Sequence, residues 1–157
     1  MPIILLPFLL MSATMPAIAP SAGQAPVKWT FAAVELPNGQ VRIDMMATIE
    51  TGWHVYATEL PSDDGPIATS IIVAPGPQFT IVGTPTEPEP DKAYDPNFAM
   101  TVHHHSTKAT FSQMIARRKP GSFTITGSVE YMACNDRMCL PPVTVPFSVD
   151  IAAVRTK

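Results

Sequence analysis

The chain has 157 residues, of which 46% are hydrophobic, 15% are charged and 18 are prolines, and its net charge is −3. This length suits one domain with an ordinary hydrophobic core. The small net charge excludes a strongly basic surface, so we expect no nucleic-acid partner. Interior prolines break helices, and a proline-rich, charge-poor chain therefore favours short strands joined by turns over a helical bundle.

The first residues indicate export. Residues 1–11 form an apolar run, MPIILLPFLLM, that is too short to span a membrane and suits the apolar core of a signal peptide. Ala17-Ile18-Ala19 has the A-x-A form of a cleavage site. We therefore predict a signal peptide over residues 1–22, a folded domain over residues 23–157, and a mature chain without a membrane span.

The leader departs from an ordinary signal peptide in one respect. No Lys or Arg precedes Lys28, so the usual basic segment is missing, and either the true start lies upstream of Met1 or the signal is atypical. The alternative is a buried N-terminal strand, which two prolines among the first seven residues disfavour. Export to the periplasm or another oxidising compartment would permit stable disulfides.

The rest of the chain has the pattern of strands. Apolar and polar residues alternate from Val41 to Ile49, with one exception at Met46, which predicts a half-buried strand. The segment Lys28–Leu36 is also strand-like, and Asn38-Gly39 between the two is a strong hairpin signal. Two further alternating runs, at 123–133 and 143–151, predict a second hairpin-like pair near the C-terminus. Shorter candidate strands lie at 53–57, 70–73, 79–82, 100–105 and 109–115.

Many short strands separated by turn signals predict an all-β, antiparallel β-sandwich. We expect the segment Thr84–Asn97, TPTEPEPDKAYDPN, to be the least structured part of the domain, because it contains four prolines. A long loop of this kind is usually functional or disordered.

The chain has two cysteines, Cys134 and Cys139, placed between strongly patterned strands. Thiol–disulfide exchange needs two cysteines close enough to close a ring and one sulfur that a partner thiol can reach. The alternative is a plain stabilising disulfide, but a ring of about six residues restrains the unfolded chain by only roughly 2 kcal/mol. On spacing alone both interpretations stay open.

Three consecutive histidines, His103-His104-His105, suggest a metal site as another alternative. His103 and His105 would share one face of a strand, and with Cys134 and Cys139 they could form a Cys2His2 zinc site. Nothing in the spacing places these histidines near the cysteines, so we expect no metal. The chain also lacks a Ser/His/Asp order and a Gly-rich phosphate loop, which leaves hydrolase and nucleotide-enzyme hypotheses without support.

Three segments resemble a known family, the N-terminal periplasmic domain of DsbD-type thiol:disulfide interchange proteins. The first is Tyr131–Pro142, YMACNDRMCLPP, with the family's Tyr-x-x-Cys start and Cys-x-Pro-Pro end. The second is the aromatic stretch Gly52–Tyr56, GWHVY, and the loop that follows it. The third runs from Tyr94-Asp95 to Phe98 and on to a strand at 109–113. Together they span roughly residues 27 to 150.

The resemblance implies an immunoglobulin-like sandwich that relays reducing equivalents, and thus a protein-disulfide reductase component. It implies that Cys139 forms the mixed disulfide with partners and that Cys134 resolves it. A thioredoxin-like domain of a membrane electron transporter would be the donor, and exported disulfide-containing proteins the acceptors. Electrons travel as thiols, so no organic cofactor is expected. We expect the chain to be a monomer.

The resemblance also implies a cap loop over the disulfide. By position this loop matches residues 94–99, with Phe98 as the shield and Asp95 as a nearby carboxylate. Tyr56 and His54 would line the site from the early aromatic strand.

Full-length members of the family continue into a membrane domain and a thioredoxin-like domain, whereas this chain ends at Lys157. It would therefore act as a stand-alone carrier, or it is a fragment of a longer protein. The rival hypothesis is an immunoglobulin-like binding or structural module with an inert disulfide, whose loops recognise another protein.

Overall fold

The computed structural model describes residues 25–154, and these form eleven β-strands and no helix. The all-β, antiparallel architecture expected from the sequence is thereby confirmed. The predicted signal peptide lies outside the described residues. No part of the described chain forms a helix with the length and apolarity that a membrane crossing requires. The strands are β1 (Val27–Glu35), β2 (Gln40–Ile49), β3 (His54–Tyr56), β4 (Ser70–Val73), β5 (Phe79–Thr86), β6 (Asp91–Asp95), β7 (Met100–Ser106), β8 (Lys108–Arg117), β9 (Phe123–Tyr131), β10 (Ala133–Cys134) and β11 (Val143–Ile151).

Two sheets enclose the main core. One has the strand order β1-β2-β8-β5 and the other β11-β9-β4, with antiparallel neighbours throughout. The predicted alternation of β2 is confirmed, because Val41, Ile43, Met45, Ala47 and Ile49 are all buried. The predicted hairpin of β1 and β2 is also confirmed, and Gly39 in its turn has a φ of 78°, which favours glycine. The core comprises Val41, Ile43, Met45, Val73, Phe79, Ala109, Phe111, Ile115, Phe123, Ile125, Val129, Phe147 and Ile151.

A third sheet, with the order β10-β3-β7-β6, lies at one end of the sandwich. The chain enters it directly from β9, since a single residue, Met132, separates β9 from β10. A small apolar cluster that includes Val55, Tyr131 and Ala133 packs where the sheets meet. The consequence is that the cysteine segment is anchored to the core on its N-terminal side.

The segment Thr84–Asn97 differs from its prediction as the least structured part of the domain. β5 runs on to Thr86, past an irregularity in its pairing with β8 between Val82 and Thr86, and all of β6 lies within the segment. Both strands are at the edge of their sheets, where a proline's missing N–H costs no ladder hydrogen bond. Proline-rich composition therefore coexists here with edge strands.

The crossing from β5 to β6 is held by Glu87. Its carboxylate accepts hydrogen bonds from the main-chain N (3.0 Å) and Oγ1 (2.7 Å) of Thr58, and Nε2 of the buried His105 lies 2.8 Å from its other oxygen. Burial opposes the ionisation of Glu87, but the hydrogen bonds from His105 and Thr58 prevail and lower its pKa. Glu87 thus ties the proline-rich segment to β7 and to the end of β3.

We predict that Glu87→Gln lowers the free energy of unfolding at pH 7 by about 1–2 kcal/mol, because a charge-assisted hydrogen bond is lost. A carboxyl whose pKa is lower in the folded state stabilises the fold above its unfolded pKa. The difference between wild type and variant should therefore shrink as the pH falls below about 4. Urea unfolding at several pH values measures it. Glu89→Gln is the control, since Glu89 is exposed in the same segment and should change stability by less than about 0.5 kcal/mol.

Candidate functional site

The two cysteines form the base of a tight hairpin. Cys134 ends β10 and is the cross-strand partner of His54 on β3. Leu140 donates a main-chain hydrogen bond of 2.9 Å to the carbonyl of Ala133, which brings the returning chain alongside β10. Cys134 and Cys139 are joined by a disulfide, with their Cα atoms 4.1 Å apart.

Asn135 organises the turn between the cysteines. Its main-chain N–H donates to the carbonyl of Met138 at 2.9 Å, and its side-chain Oδ1 accepts from the main-chain N–H groups of Arg137 and Met138, both at 2.9 Å. Asparagine is favoured in turns because its side chain can satisfy nearby main-chain donors in this way. The turn is therefore well defined, and it presents Met138 to solvent with 51% of its surface exposed.

The two sulfurs differ in accessibility. Cys134 is fully buried at 0% exposure, whereas Cys139 is only partly buried. Cys134 belongs to an apolar cluster with Tyr56 and Val102, and Phe98, among others, packs against that cluster. A partner thiol can approach Cys139 far more readily than Cys134.

A polar network lies next to Cys139. The Tyr56 hydroxyl donates a hydrogen bond of 2.6 Å to Oδ2 of Asp95, and its oxygen is 3.9 Å from Sγ of Cys139. His54 Nε2 is 3.3 Å from the same Asp95 oxygen and 3.4 Å from the Tyr56 hydroxyl. On its other side the His54 ring packs against His104, with ring centroids 4.8 Å apart.

The network has a defined charge state at neutral pH. Burial, together with the hydrogen bond to Asp95, raises the pKa of Tyr56 well above its ordinary value. Burial opposes the ionisation of Asp95, but donors from Tyr56 and Asn97 prevail and lower its pKa. Burial and the neighbouring His54 lower the pKa of His104. Tyr56 is thus a neutral donor and Asp95 an anionic acceptor.

A short turn between β6 and β7 covers the site. Because Asp95 pairs with Met100, the turn consists of residues 96–99, and Tyr94 and Asp95, expected in a cap loop over 94–99, belong instead to β6. The Phe98 ring meets the Tyr56 ring edge-on, with centroids 6.0 Å apart. Ala99, at the end of the turn, has a φ of 53°, which is uncommon for a residue with a side chain.

A groove of about 320 Å³ opens beside this turn. Its lining includes Trp53, His54, Tyr94, Asp95, His104 and Asp136. The groove therefore opens one side of the polar network to solvent.

The structure brings all six residues predicted for the site together: Cys134, Cys139, Tyr56, Asp95, His54 and Phe98. It adds Asn97 and His104, which sequence reasoning missed. The sequence Asp-Pro-Asn at 95–97 is typical of a turn and could have indicated Asn97.

Both cysteines and His105 of the zinc alternative are engaged in other contacts. The cysteines are bonded to each other, and His105 is hydrogen-bonded to Glu87. Within residues 25–154, no group of three or more His, Cys, Asp or Glu side chains is placed to hold a metal ion.

We predict that Tyr56→Phe raises the pKa of Asp95, because the carboxylate loses its shortest donor while the aromatic ring is retained. NMR titration of the side-chain carboxyl carbons measures the shift. We also expect a loss of about 1–3 kcal/mol in the free energy of unfolding at pH 7. Tyr94→Phe is the control, since Tyr94 is 66% exposed. An unchanged Asp95 pKa in Tyr56→Phe would contradict the account of the network.

A comparison with a solved structure shows the fold. The N-terminal domain of DsbD from Neisseria meningitidis, in the reduced form, has a TM-score of 0.53 and 16% identity, covering 80% of this chain and 85% of that chain. This likeness confirms the expected immunoglobulin-like sandwich. The N-terminal periplasmic domain of ScsB from Proteus mirabilis has a TM-score of 0.49 and 16% identity, covering 80% of this chain and 44% of that chain. No curated protein sequence matches the chain.

The family assignment comes from the sequence. Residues 23–151 match the family model described as thiol:disulfide interchange protein DsbD, N-terminal. The match covers most of the chain and includes both cysteines, the β6–β7 turn and the aromatic strand β3. The chain belongs to the family of the N-terminal domain of the thiol:disulfide interchange protein DsbD.

Proposed function

We propose that this chain is a thiol–disulfide exchange module that relays reducing equivalents through Cys134 and Cys139. The observation that carries the proposal is the unequal burial of the two bonded sulfurs, in a chain of the DsbD N-terminal family. An exchange centre needs one sulfur that a partner reaches and one that is kept for the second step. A disulfide that served stability alone would gain little from a six-residue ring.

In the reductive direction the dithiol form acts on a partner disulfide. The Cys139 thiolate attacks one partner sulfur, a mixed disulfide forms, and the other partner sulfur leaves as a thiolate that takes up a proton. The Cys134 thiolate then attacks Sγ of Cys139, which closes the intramolecular disulfide and releases the second partner thiol. Two electrons pass to the partner, and a dithiol donor returns them by the reverse sequence.

The surroundings of Cys139 suit this chemistry. Phe98 shields the disulfide until a partner displaces the 96–99 turn. Tyr56, Asp95 and His54 line the site. Because the Tyr56 hydroxyl hydrogen is donated to Asp95, its oxygen remains an acceptor for the thiol hydrogen of reduced Cys139.

The proposed cellular setting is supported by the family and by the signal peptide predicted over residues 1–22. We place the mature chain in the periplasm, as a monomer without an organic cofactor or a membrane span. Its donor is the thioredoxin-like domain of a membrane electron transporter, and its acceptors are exported proteins with disulfides. An oxidising compartment is where such a reductive relay has substrates.

We predict that Cys134→Ala accumulates a mixed disulfide through Cys139 with a thioredoxin-like domain that keeps one active-site cysteine, activated beforehand as its thionitrobenzoate mixed disulfide. Cys139 displaces thionitrobenzoate, and the partner remains attached because neither protein has a second thiol that resolves the bond. Non-reducing electrophoresis and intact mass measure the adduct. Cys139→Ala is the matched control, and it should form little adduct, because Cys134 is buried. A larger adduct in Cys139→Ala would reverse the two roles.

The wild-type chain tests the rival hypothesis, a binding or structural module with an inert disulfide. A reduced thioredoxin-like domain should reduce the Cys134–Cys139 disulfide under native conditions, as followed by alkylation of the released thiols. A disulfide that stays closed until the protein is denatured would contradict the proposed relay and favour the rival hypothesis.

A further inference from the structure

Two short turns meet over the disulfide, and one side chain joins them. Nδ2 of Asn97, in the 96–99 turn, donates a hydrogen bond of 2.8 Å to the main-chain carbonyl of Asn135, in the turn between the cysteines. Among the side-chain hydrogen bonds of residues 25–154, this is the one that connects these two turns.

Both ends of this contact are held in place. The Asn97 amide also donates to Oδ1 of Asp95 at 3.0 Å, and its main-chain N–H donates to the same oxygen at 2.8 Å. Asp95 is only 3% exposed and is fixed in turn by Tyr56. At the other end, the three hydrogen bonds within its own turn fix Asn135. The Asn97 amide therefore bridges two fixed acceptors, the Asp95 carboxylate and the Asn135 carbonyl.

The closed turn also contains a backbone feature that opposes closure. Ala99 follows Phe98 directly and has a φ of 53°, a conformation that disfavours residues with a Cβ. A turn held in such a conformation opens more readily unless another contact restrains it. The hydrogen bond from Asn97 to Asn135 supplies that restraint, and the Phe98–Tyr56 ring contact adds to it.

We infer that Asn97 is a positioning residue that latches the 96–99 turn over Cys139 and sets how often the disulfide is uncovered. This inference rests on the proposed function. When the turn opens, the Asn135 carbonyl loses its donor. An extended partner segment around its own cysteine can supply a main-chain N–H to that carbonyl, which a small thiol cannot do. The latch thereby favours polypeptide partners over small thiols.

The test compares the rates at which two reductants open the disulfide of the oxidised protein. Dithiothreitol is the small reductant, and a reduced thioredoxin-like domain is the protein reductant. For Asn97→Ala we expect the rate with dithiothreitol to rise by about two- to tenfold, because the hydrogen bond to Asn135 that joins the two turns is lost, together with the side-chain bond to Asp95. The rate with the protein reductant should rise less. The ratio of the rate with the protein reductant to the rate with dithiothreitol should therefore be lower in Asn97→Ala than in the wild type.

A second variant should act in the opposite direction. Ala99→Gly relieves the left-handed conformation, favours the closed turn, and should slow reduction by dithiothreitol by up to about fivefold. Asn38→Ala is the matched control, because it removes a hydrogen-bonding asparagine from the β1–β2 turn and should leave both rates unchanged. Urea unfolding of each variant separates local opening from a general loss of stability.

A dithiothreitol rate for Asn97→Ala within a factor of about 1.5 of the wild type, in a protein of unchanged stability, would overturn the latch. An equal acceleration with both reductants would also overturn it, since the latch would then not discriminate between polypeptide partners and small thiols. If Asn97→Ala does not fold, acceleration by Ala99→Gly would overturn the proposal instead. The relay itself fails separately, when the wild-type disulfide does not react with the protein reductant at all.

Discussion

The hydrogen bond from Tyr56 to Asp95 is the contact on which the rest of the site depends. Both residues are buried and the bond is short, at 2.6 Å. A buried carboxylate without a donor would be costly, whereas a charge-assisted bond of this kind contributes about 1.5–3 kcal/mol. It fixes the end of β6 to β3, and so fixes the point from which the 96–99 turn starts. The position of the 96–99 turn and the arrangement of the polar network beside Cys139 therefore both depend on this hydrogen bond.

Much of the fold could be predicted because strands of this domain carry a period of two. The alternation in β2 and the Asn38-Gly39 turn sufficed for the first hairpin, and the paired runs near the C-terminus for the second. The proline-rich segment Thr84–Asn97 could not be predicted in the same way. Edge strands tolerate proline and exposed polar residues, so their composition resembles that of a loop.

The site was predictable in part, and for a different reason. Tyr56, Asp95 and Phe98 came from the resemblance to a family, since no local pattern distinguishes them from core or turn residues. The partners of Asn97 and Glu87 lie 38 and 18 residues away, on other elements. Which elements become neighbours is decided by the tertiary fold, and spacing along the chain does not report it.

The run His103-His104-His105 shows that spacing along the chain can also suggest a shared site for residues that the fold separates. Side chains alternate across a strand, so His104 contacts His54 while His105 points toward Glu87 and Phe111. Adjacent positions in a strand are separated by the sheet itself. His104 and His105 therefore lie in separate environments and do not share one ligand set.

The unequal burial of the two sulfurs also decides where oxidative damage falls. In the dithiol form, a peroxide reaches Cys139 before the fully buried Cys134. Oxidation gives a sulfenic acid at Cys139, which the neighbouring Cys134 thiol attacks with loss of water, closing the disulfide. Irreversible sulfinic acid requires a second oxidation in the interval before that closure. The burial pattern on which the proposed order of exchange rests thus also converts oxidised Cys139 into the Cys134–Cys139 disulfide, which a dithiol can reduce.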